Sequence, residues 1–394
     1  MSAATFADDT TEILNGQVNL DAAINAIVTT ETDQADSATA TAIGIANALT
    51  VDVVTPHDVQ SSQVFSGSVD TSATTTARIT DGVALTTSTA FGNTASVLTD
   101  ADMDLVSDQS AADGASVTSN AQLNVGSYSI STVTTATASA NAYESVAYGG
   151  ATNLNLRQDS GAEVSADSYV LAPDAGLGYA AAAVGAANGN SVLVEGYTGA
   201  SQIVDVDQTN RGNVTGRVRM DAGGTAISSQ AMASANGNAV RIQNEDGYAH
   251  LQGGQTNSGT VTADSEILVG NFDADLLTVS AEGVGNSAVI SNLGADAFMG
   301  LDQNNTGAVN ARANFAGDAG GSVMMSATAF GNAATSYICS ECPVTSYGDM
   351  NQVNGANVSS VVTGQMTTGQ NISGTATAIG NSATFQTTNP YGPN

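Results

Sequence analysis

The sequence predicts an all-β fold, an elongated β-solenoid built from eight repeats of about 48 residues. Three observations predict it: two short motifs that recur in register, a scarcity of large side chains, and apolar residues that alternate with polar ones along extended stretches. Because the second motif falls half a period after the first, we expect about sixteen strand-turn-strand rungs of roughly 24 residues each.

The first motif is Gln, then Gly, then Val, and it is clearest in DQTNRGNV, QTNSGTV and DQNNTGAV. A first copy that matches the motif only weakly lies at Gly16 and Val18. The glutamines of the other seven copies are Gln63, Gln109, Gln158, Gln208, Gln255, Gln303 and Gln352.

The second motif is a run of Ala, Thr or Ser that ends in a small residue and Asn, as in TAFGN and TAIGN. Its first copy is AIGI at Gly44, and the small residue recurs every 46 to 49 residues. We expect the Gly and Asn clusters to supply the positive φ of tight reversals. The asparagines of this motif are Asn93, Asn141, Asn190, Asn238, Asn286, Asn332 and Asn381.

Stacked parallel rungs would bring identical residues into columns. A column of buried Gln or Asn can hydrogen-bond along the axis through its side-chain amides. We therefore expect a Gln ladder and an Asn ladder. The residues alone leave one alternative open, in which these positions are solvent-facing turn residues.

Composition predicts a thin core along one axis, because the chain has 10 Tyr, 8 Phe, no Trp and only 11% charged residues. We divide it into residues 1–35, a divergent N-terminal repeat that acts as a cap or a donor segment, residues 36–386, the solenoid array, and residues 387–394, a C-terminal tail. MSAATFADD at the start lacks the features of a signal peptide, which suggests a mature form. No stretch of about 18 apolar residues is present, so no membrane span is expected.

The net charge of -30 excludes nucleic acid and anionic membrane as partners. The chain has 37 acidic residues but only 7 Arg and no Lys. Four arginines, Arg211, Arg217, Arg219 and Arg241, fall in adjacent half-repeats. They form either one basic patch or local pairs with Asp and Glu.

Candidate metal and thiol sites are few. Asp100, Asp102 and Asp104 would share one face of a strand and could hold a structural Ca²⁺, with plain solvated carboxylates as the alternative. No other cofactor is indicated. Cys339 and Cys342 form a CSEC pair in an expected loop, where a local disulfide or two free thiols would fit.

No catalytic residues are recognisable, because the chain has no Lys, only two His that lie far apart in sequence, and no nucleophile or phosphate-loop motif. We therefore expect a protein that is not an enzyme.

Sequence resemblances to two known protein families support a prediction of function. AIGNSATFQ and NGNAVRIQ are similar to the curlin repeats of functional amyloid. VQSSQVFSG (59–67) and TATAIGN (375–381) resemble segments of the holdfast anchor protein D family, and this likeness covers most of the chain.

The family resemblance implies an extracellular protein of the bacterial surface that fastens adhesive polysaccharide, the holdfast, to the outer membrane. It further implies a curlin-like partner, an outer-membrane secretion channel and contact with exopolysaccharide. We expect a fibre subunit or anchor that polymerises end to end.

The alternative is a monomeric solenoid adhesin with a glycan- or ice-binding face. Ice binding would need an unbroken Thr column, which Val184 and Met232 interrupt.

Overall fold

The fold is all-β, and the computed structural model describes residues 11–225, 228–272, 276–339 and 344–388. Within them lie nineteen strands. They are β1 (Thr11–Asn19), β2 (Ala23–Ala35), β3 (Ala38–Val53), β4 (His57–Phe65), β5 (Ser68–Thr99), β6 (Met103–Ala111), β7 (Ser116–Tyr148), β8 (Ala151–Ser160), β9 (Glu163–Tyr197), β10 (Ser201–Asn210), β11 (Val214–Thr225), β12 (Ser228–Glu245), β13 (Ala249–Asn257), β14 (Val261–Phe272), β15 (Leu276–Leu293), β16 (Ala297–Asn305), β17 (Val309–Cys339), β18 (Ser346–Asn354) and β19 (Val358–Thr388). Within these ranges no helix is long and apolar enough to cross a membrane.

The strands form two parallel sheets. Eight short strands pair in the order β1-β4-β6-β8-β10-β13-β16-β18, and we call them the short-strand sheet. The other eleven strands form the long-strand sheet. Each repeat thus gives one strand to the first sheet and one long strand, or two successive strands, to the second.

Partner residues in neighbouring strands are one whole repeat apart, as in Gln208 with Gln255 and Asn238 with Asn286. No pairing among the described strands joins two halves of the same repeat. The prediction of about sixteen stacked units of half a repeat was therefore wrong. The two motifs are alike because they lie on facing segments of one repeat, where each projects an amide into the same interior.

Two apolar cores lie side by side within each repeat. In one, Val214 and Val218 of β11 belong to the same cluster as Ala233 of β12. In the other, Val204 of β10 clusters with Ile242 of β12. The first core is filled mainly by Ala and Val, which suits the thin interior that the composition predicts.

Most turns with positive φ precede short strands, although Asp21 and Gly114 follow short strands and Gly253 lies inside β13, and none of these residues is a second-motif glycine. Thr198, Gly199, Asp246 and Gly294 have φ values of 57°, 82°, 62° and 92°. In contrast, Asn238 lies inside β12, which runs on through the motif. The expectation of positive φ was therefore wrong for the second-motif glycines, whereas Gly114, between Gln109 and Val117 of the first motif, does have a φ of 85°.

The N-terminal segment joins both sheets. β1 pairs with β4, and β2 pairs with β5, in the same parallel register as the later copies. Residues 11–35 of the predicted segment 1–35 therefore continue the array. At the other end β19 reaches Thr388, and residues 389–394 of the predicted tail lie outside the described residues.

Candidate functional site: amide ladders and the outer face of the short-strand sheet

The first-motif glutamines form one continuous ladder. Gln208 Nε2 donates to Gln158 Oε1 at 2.8 Å, and Gln255 Nε2 donates to Gln208 Oε1 at 2.7 Å. The same Gln208 Nε2 also donates across the interior to the Ala239 carbonyl at 3.0 Å. Equivalent bonds join Gln17, Gln63, Gln109, Gln158, Gln208, Gln255, Gln303 and Gln352, each donating toward the preceding copy.

The second-motif asparagines form a ladder of opposite polarity. Asn238 Nδ2 donates to Asn286 Oδ1 in the following copy at 2.8 Å. It also donates to the Thr256 carbonyl of the short-strand sheet at 2.8 Å. The ladder runs through Asn47, Asn93, Asn141, Asn190, Asn238, Asn286, Asn332 and Asn381. The Gln ladder therefore joins each short strand to the long-strand segment of its own repeat, and the Asn ladder joins that segment to the short strand of the next repeat.

A third ladder, which the sequence reasoning missed, lies at the end of the short strands in the C-terminal half. Asn210 Nδ2 donates to Asn257 Oδ1, Asn257 to Asn305, and Asn305 to Asn354, each at 2.8 Å. The first copy also has an Asn in this column, Asn19, but the next three copies interrupt it with Phe65, Ala111 and Ser160. The signal was the Asn two residues after Gln in the last four copies.

The motif glycines are needed for close approach. A Cβ on Gly237 would lie 2.5 Å from Asn257 Oδ1 and 2.5 Å from the Gly285 carbonyl oxygen. The third ladder thus passes directly beside the second-motif glycine. A Cβ on Gly212 would collide with the Ala162 carbonyl of the preceding copy. Backbone crowding, and no left-handed conformation, explains why these positions hold Gly.

The sequence reasoning placed both first copies wrongly. Gly44 pairs with Ala90, so Ala46 stands where the later copies have the second-motif glycine, and Asn47 is the ladder residue. Likewise Ile24 pairs with Val69 and is the true counterpart of the first-motif Val, while Gln17 is the ladder residue. Both could have been found by counting 46 residues back from Asn93 and Gln63.

The outer face of the short-strand sheet carries an aromatic column. His250, Phe298 and Tyr347 occupy the same position in β13, β16 and β18. The His250 and Phe298 rings have centroids 4.4 Å apart, and the Phe298 and Tyr347 rings stack at 5.2 Å with an interplanar angle of 9°. Tyr347 is 57% exposed. Stacked rings of this kind offer a flat apolar surface to solvent.

Carboxylates border this column. An open depression of about 370 Å³ is lined by Phe298, Gly300, Asp205, Asp302 and Asp349. Glycine at position 300 leaves room for the Phe298 ring, because a Cβ there would lie 2.8 Å from Phe298 Cε1. The result is an aromatic platform next to acceptor oxygens.

The three candidate calcium ligands do not share one face of a strand. Asp100 and Asp102 lie in the turn between β5 and β6, and only Asp104 is on β6. Asp102 Oδ1 accepts a hydrogen bond from the Ala151 N–H at 2.7 Å, and Asp104 Oδ1 accepts one from Asn153 Nδ2 at 2.6 Å. Over the described part of the chain, no group of three or more Asp, Glu, His or Cys is arranged to hold a metal ion.

Three of the four singled-out arginines lie beside acids of the same or other repeats. Arg211 binds Asp113 at 3.1 Å and also contacts Asp159, and Arg217 lies 3.7 Å from Asp167. Arg219 lies 3.3 Å from Asp221 and 3.6 Å from Glu266. This is the local pairing that the sequence left open beside the basic patch.

Two further electrostatic features stand out. The hydrogen bond from Arg78 lowers the pKa of the Asp33 carboxyl, in another pair that joins neighbouring repeats. Burial raises the pKa of the Tyr143 phenol well above its usual range.

Cys339 is half-buried at the end of β17, and Cys342 lies outside the described residues, so the predicted disulfide stays a prediction.

Comparison with known proteins identifies the family. The family model described as Holdfast attachment protein D matches residues 32–308. The chain belongs to this family. Membership gives it a structural, non-enzymatic role in holdfast attachment and associates it with the cell surface. No curated protein and no solved structure matches the chain.

Proposed function

We propose that the protein is a rigid β-solenoid of eight coils, one per repeat, that anchors the holdfast polysaccharide to the bacterial outer membrane. The observation that carries this proposal is the unbroken parallel register from β1 to β18, in a chain of the holdfast attachment protein D family. A protein that transmits force between a cell and an adhesive needs such stiffness more than it needs a reactive site.

The ladders explain how small side chains can hold such a rod together. Neighbouring coils are joined by backbone hydrogen bonds and, at two to three positions, by side-chain amide bonds of 2.7 to 3.0 Å. Because all of these bonds act in parallel between two coils, no single one bears the load. This is the chemistry of curlin-like functional amyloid, and it supports a fibre-like role.

We assign polysaccharide contact to the aromatic column of His250, Phe298 and Tyr347. The apolar face of a pyranose ring packs on an aromatic ring, and neighbouring carboxylates accept hydrogen bonds from sugar hydroxyls. Asp302 and Asp349, which line the same depression as Phe298, supply those acceptors. A curlin-like partner and an outer-membrane secretion channel complete the proposed attachment system.

A deletion strain tests the anchoring role. We expect cells without the protein to make the polysaccharide but to release it into the medium, and normal retention would contradict the proposal. Complementation with the double variant Phe298→Ala, Tyr347→Ala should leave most of the polysaccharide in the medium. Tyr179→Ala is the matched control, because Tyr179 is 64% exposed and lies away from this column. Complementation of the deletion strain with this variant should restore retention of the polysaccharide.

An ice-binding face would need a continuous column of Thr, and the described strands do not form one at the positions that the sequence indicated. The register places Thr41, Thr87 and Thr135 in one column, which Val184 and Met232 then interrupt.

A further inference from the structure

Among the described strands, those at both ends of the array have a strand partner on one side only. In the described residues β1, β2 and β3 form one end face, and β18 and β19 form the other. We propose that the end face of β18 and β19 binds the end face of β1, β2 and β3 of a second copy, head to tail, with Gln352 beside Gln17. This inference deepens the fibre-like role of the proposed function, because it assigns the contact surface and its register.

The polarity of the ladders makes the two end faces complementary. In every later copy the Gln amide donates to the preceding Gln, so Gln17 has a second N–H directed away from Gln63, and Gln352 Oε1 has no following donor among the described residues. The Asn ladder has the reverse polarity. Asn381 Nδ2 donates one N–H to the Gln352 carbonyl at 3.2 Å and has a second N–H for a following copy, while Asn47 Oδ1 has no donor from a preceding copy among the described residues. Each donor at one face therefore meets an acceptor at the other.

Asn19 supplies an independent observation. It stands in the column of the third ladder, but its neighbour in its own chain is Phe65, which cannot hydrogen-bond through its side chain. Asn19 Oδ1 is buried without a hydrogen-bond partner in the described structure. A second copy would place Asn354, the last member of the third ladder, beside Asn19, and rotation of the buried Asn19 amide toward that edge would let Asn354 Nδ2 donate to its oxygen.

The first and last short strands also match in sequence. Both end in Gln-Val-Asn, at 17–19 and 352–354, whereas the six copies between them end in other triplets. Stacking residue 352 on residue 17 therefore continues all three columns with the same residue type. Within one chain these two strands are at opposite ends of the sheet, so the match has no role inside the monomer.

Side chains outside the ladders complete the match. One outward column of the long-strand sheet alternates in charge through Asp167, Arg217, Asp264 and Arg312, but it ends in apolar Ile27 and Val361. Ile27 is 73% and Val361 41% exposed. The proposed register places them against each other, which buries both.

The β19 part of the C-terminal face also avoids like-charge repulsion. β19 spans residues 358–388 without one Asp, Glu or Arg, although the whole chain has a net charge of -30. The acids of the opposite face, such as Glu31 and Asp33 of β2, would meet neutral partners there. Since the two surfaces differ, the contact is heterologous and repeats without closing, which produces a filament.

Two charge variants at exposed positions test this junction. Val361→Glu and Ile27→Lys each place one charge against an apolar partner, and each should raise the concentration needed for assembly by about tenfold or more. An equimolar mixture of the two variants should recover assembly, because the carboxylate introduced at position 361 of one copy then faces the ammonium group introduced at position 27 of the next. Val106→Glu and Ile203→Lys, at exposed interior positions, are the matched controls and should assemble as wild type does.

Sedimentation velocity and negative-stain electron microscopy over a concentration series measure assembly, and circular dichroism checks the fold of each variant. Wild-type chains that stay monomeric at every concentration would overturn the inference. The proposed register would also be overturned if the single variants assemble like wild type, or if the equimolar mixture of the two variants does not recover assembly. Binding of each monomeric variant to isolated polysaccharide is measured separately, so that loss of anchoring and loss of assembly can be distinguished.

Discussion

The side-chain amides bear much of the specificity of this fold. Asn238 illustrates it, because its Oδ1 accepts from Asn190 while its Nδ2 donates both to Asn286 and to the Thr256 carbonyl. Its side chain is fully buried. Removing one such amide leaves its neighbours with unmet hydrogen bonds in a place that water does not reach.

We therefore expect Asn238→Ala to lower the free energy of unfolding by about 2 to 4 kcal/mol, since it leaves two or more buried polar groups unpaired. Urea unfolding followed by circular dichroism measures it. Asn155→Ala, on the outer face of β8, is the control and should change stability by less than about 0.5 kcal/mol. Equal effects of the two substitutions would contradict a buried ladder.

The motif glycine gives a second residue-scale prediction. Gly237→Ala would place a methyl group 2.5 Å from Asn257 Oδ1 and from the Gly285 carbonyl oxygen, so we expect a loss of about 2 kcal/mol or more. In Gly254→Ala the nearest atom would be 3.8 Å away, and thermal unfolding should show little change. A neutral Gly237→Ala variant would mean that the third ladder does not pass beside this residue.

Tyr143 makes stability depend on alkaline pH. Its folded-state pKa is raised by burial above the unfolded value of about 10, so its contribution is complete below pH 10 and is lost as the pH rises above that value. We expect Tyr143→Phe to lose less stability than wild type between pH 9 and pH 11. Parallel denaturation curves of the two proteins across this range measure the difference, and identical pH dependence would contradict burial of the phenol.

Identical residues at a fixed spacing are enough to predict a ladder, as with Gln208 and Asn238. The third ladder is harder to predict, because its column holds Asn in the first copy and in the last four but Phe65, Ala111 and Ser160 in the three copies between them. A column that changes residue type has no signature in one sequence. Register, which depends on backbone pairing, is what reveals it.

At the scale of the elements, period-two alternation predicts strands and does not say which strand pairs with which. Half-repeat pairing and whole-repeat pairing bury the same faces, so both fit the alternation in Val214–Met220. The actual partners are set by where the chain reverses. Several of those reversals precede short strands, at positions such as Thr198 and Asp246, which carry no motif, and others follow short strands, at Asp21 and Gly114.

One of these turns is strained, and relieving it should stabilise the protein. Thr198 is a β-branched residue with φ of 57°, a conformation that costs such residues roughly 1 kcal/mol. Thr198→Gly should therefore raise the melting temperature by a few degrees. Thr209→Gly, at an extended position of β10, is the control and should lower it. A decrease for Thr198→Gly would show that this turn is not left-handed.

At the scale of the whole molecule, the proposed solenoid of eight coils at about 4.8 Å each would be a rod of roughly 38 Å, half the length that sixteen rungs would give. The strong negative charge keeps the sides of such rods apart, while the uncharged β19 face leaves the ends free to meet. In the proposed filament, charge would therefore favour growth along the axis over lateral association.

The most direct test of one repeat per coil is a distance between spin labels at Ser62 and Asn351, two exposed residues of one outer column of the short-strand sheet. The labels are placed in a Cys339→Ser, Cys342→Ser background, at a concentration where the chain is monomeric. Six strand steps predict a separation of about 29 Å by pulsed electron–electron double resonance. A distance near 58 Å, which twelve half-repeat steps would give, would contradict the account.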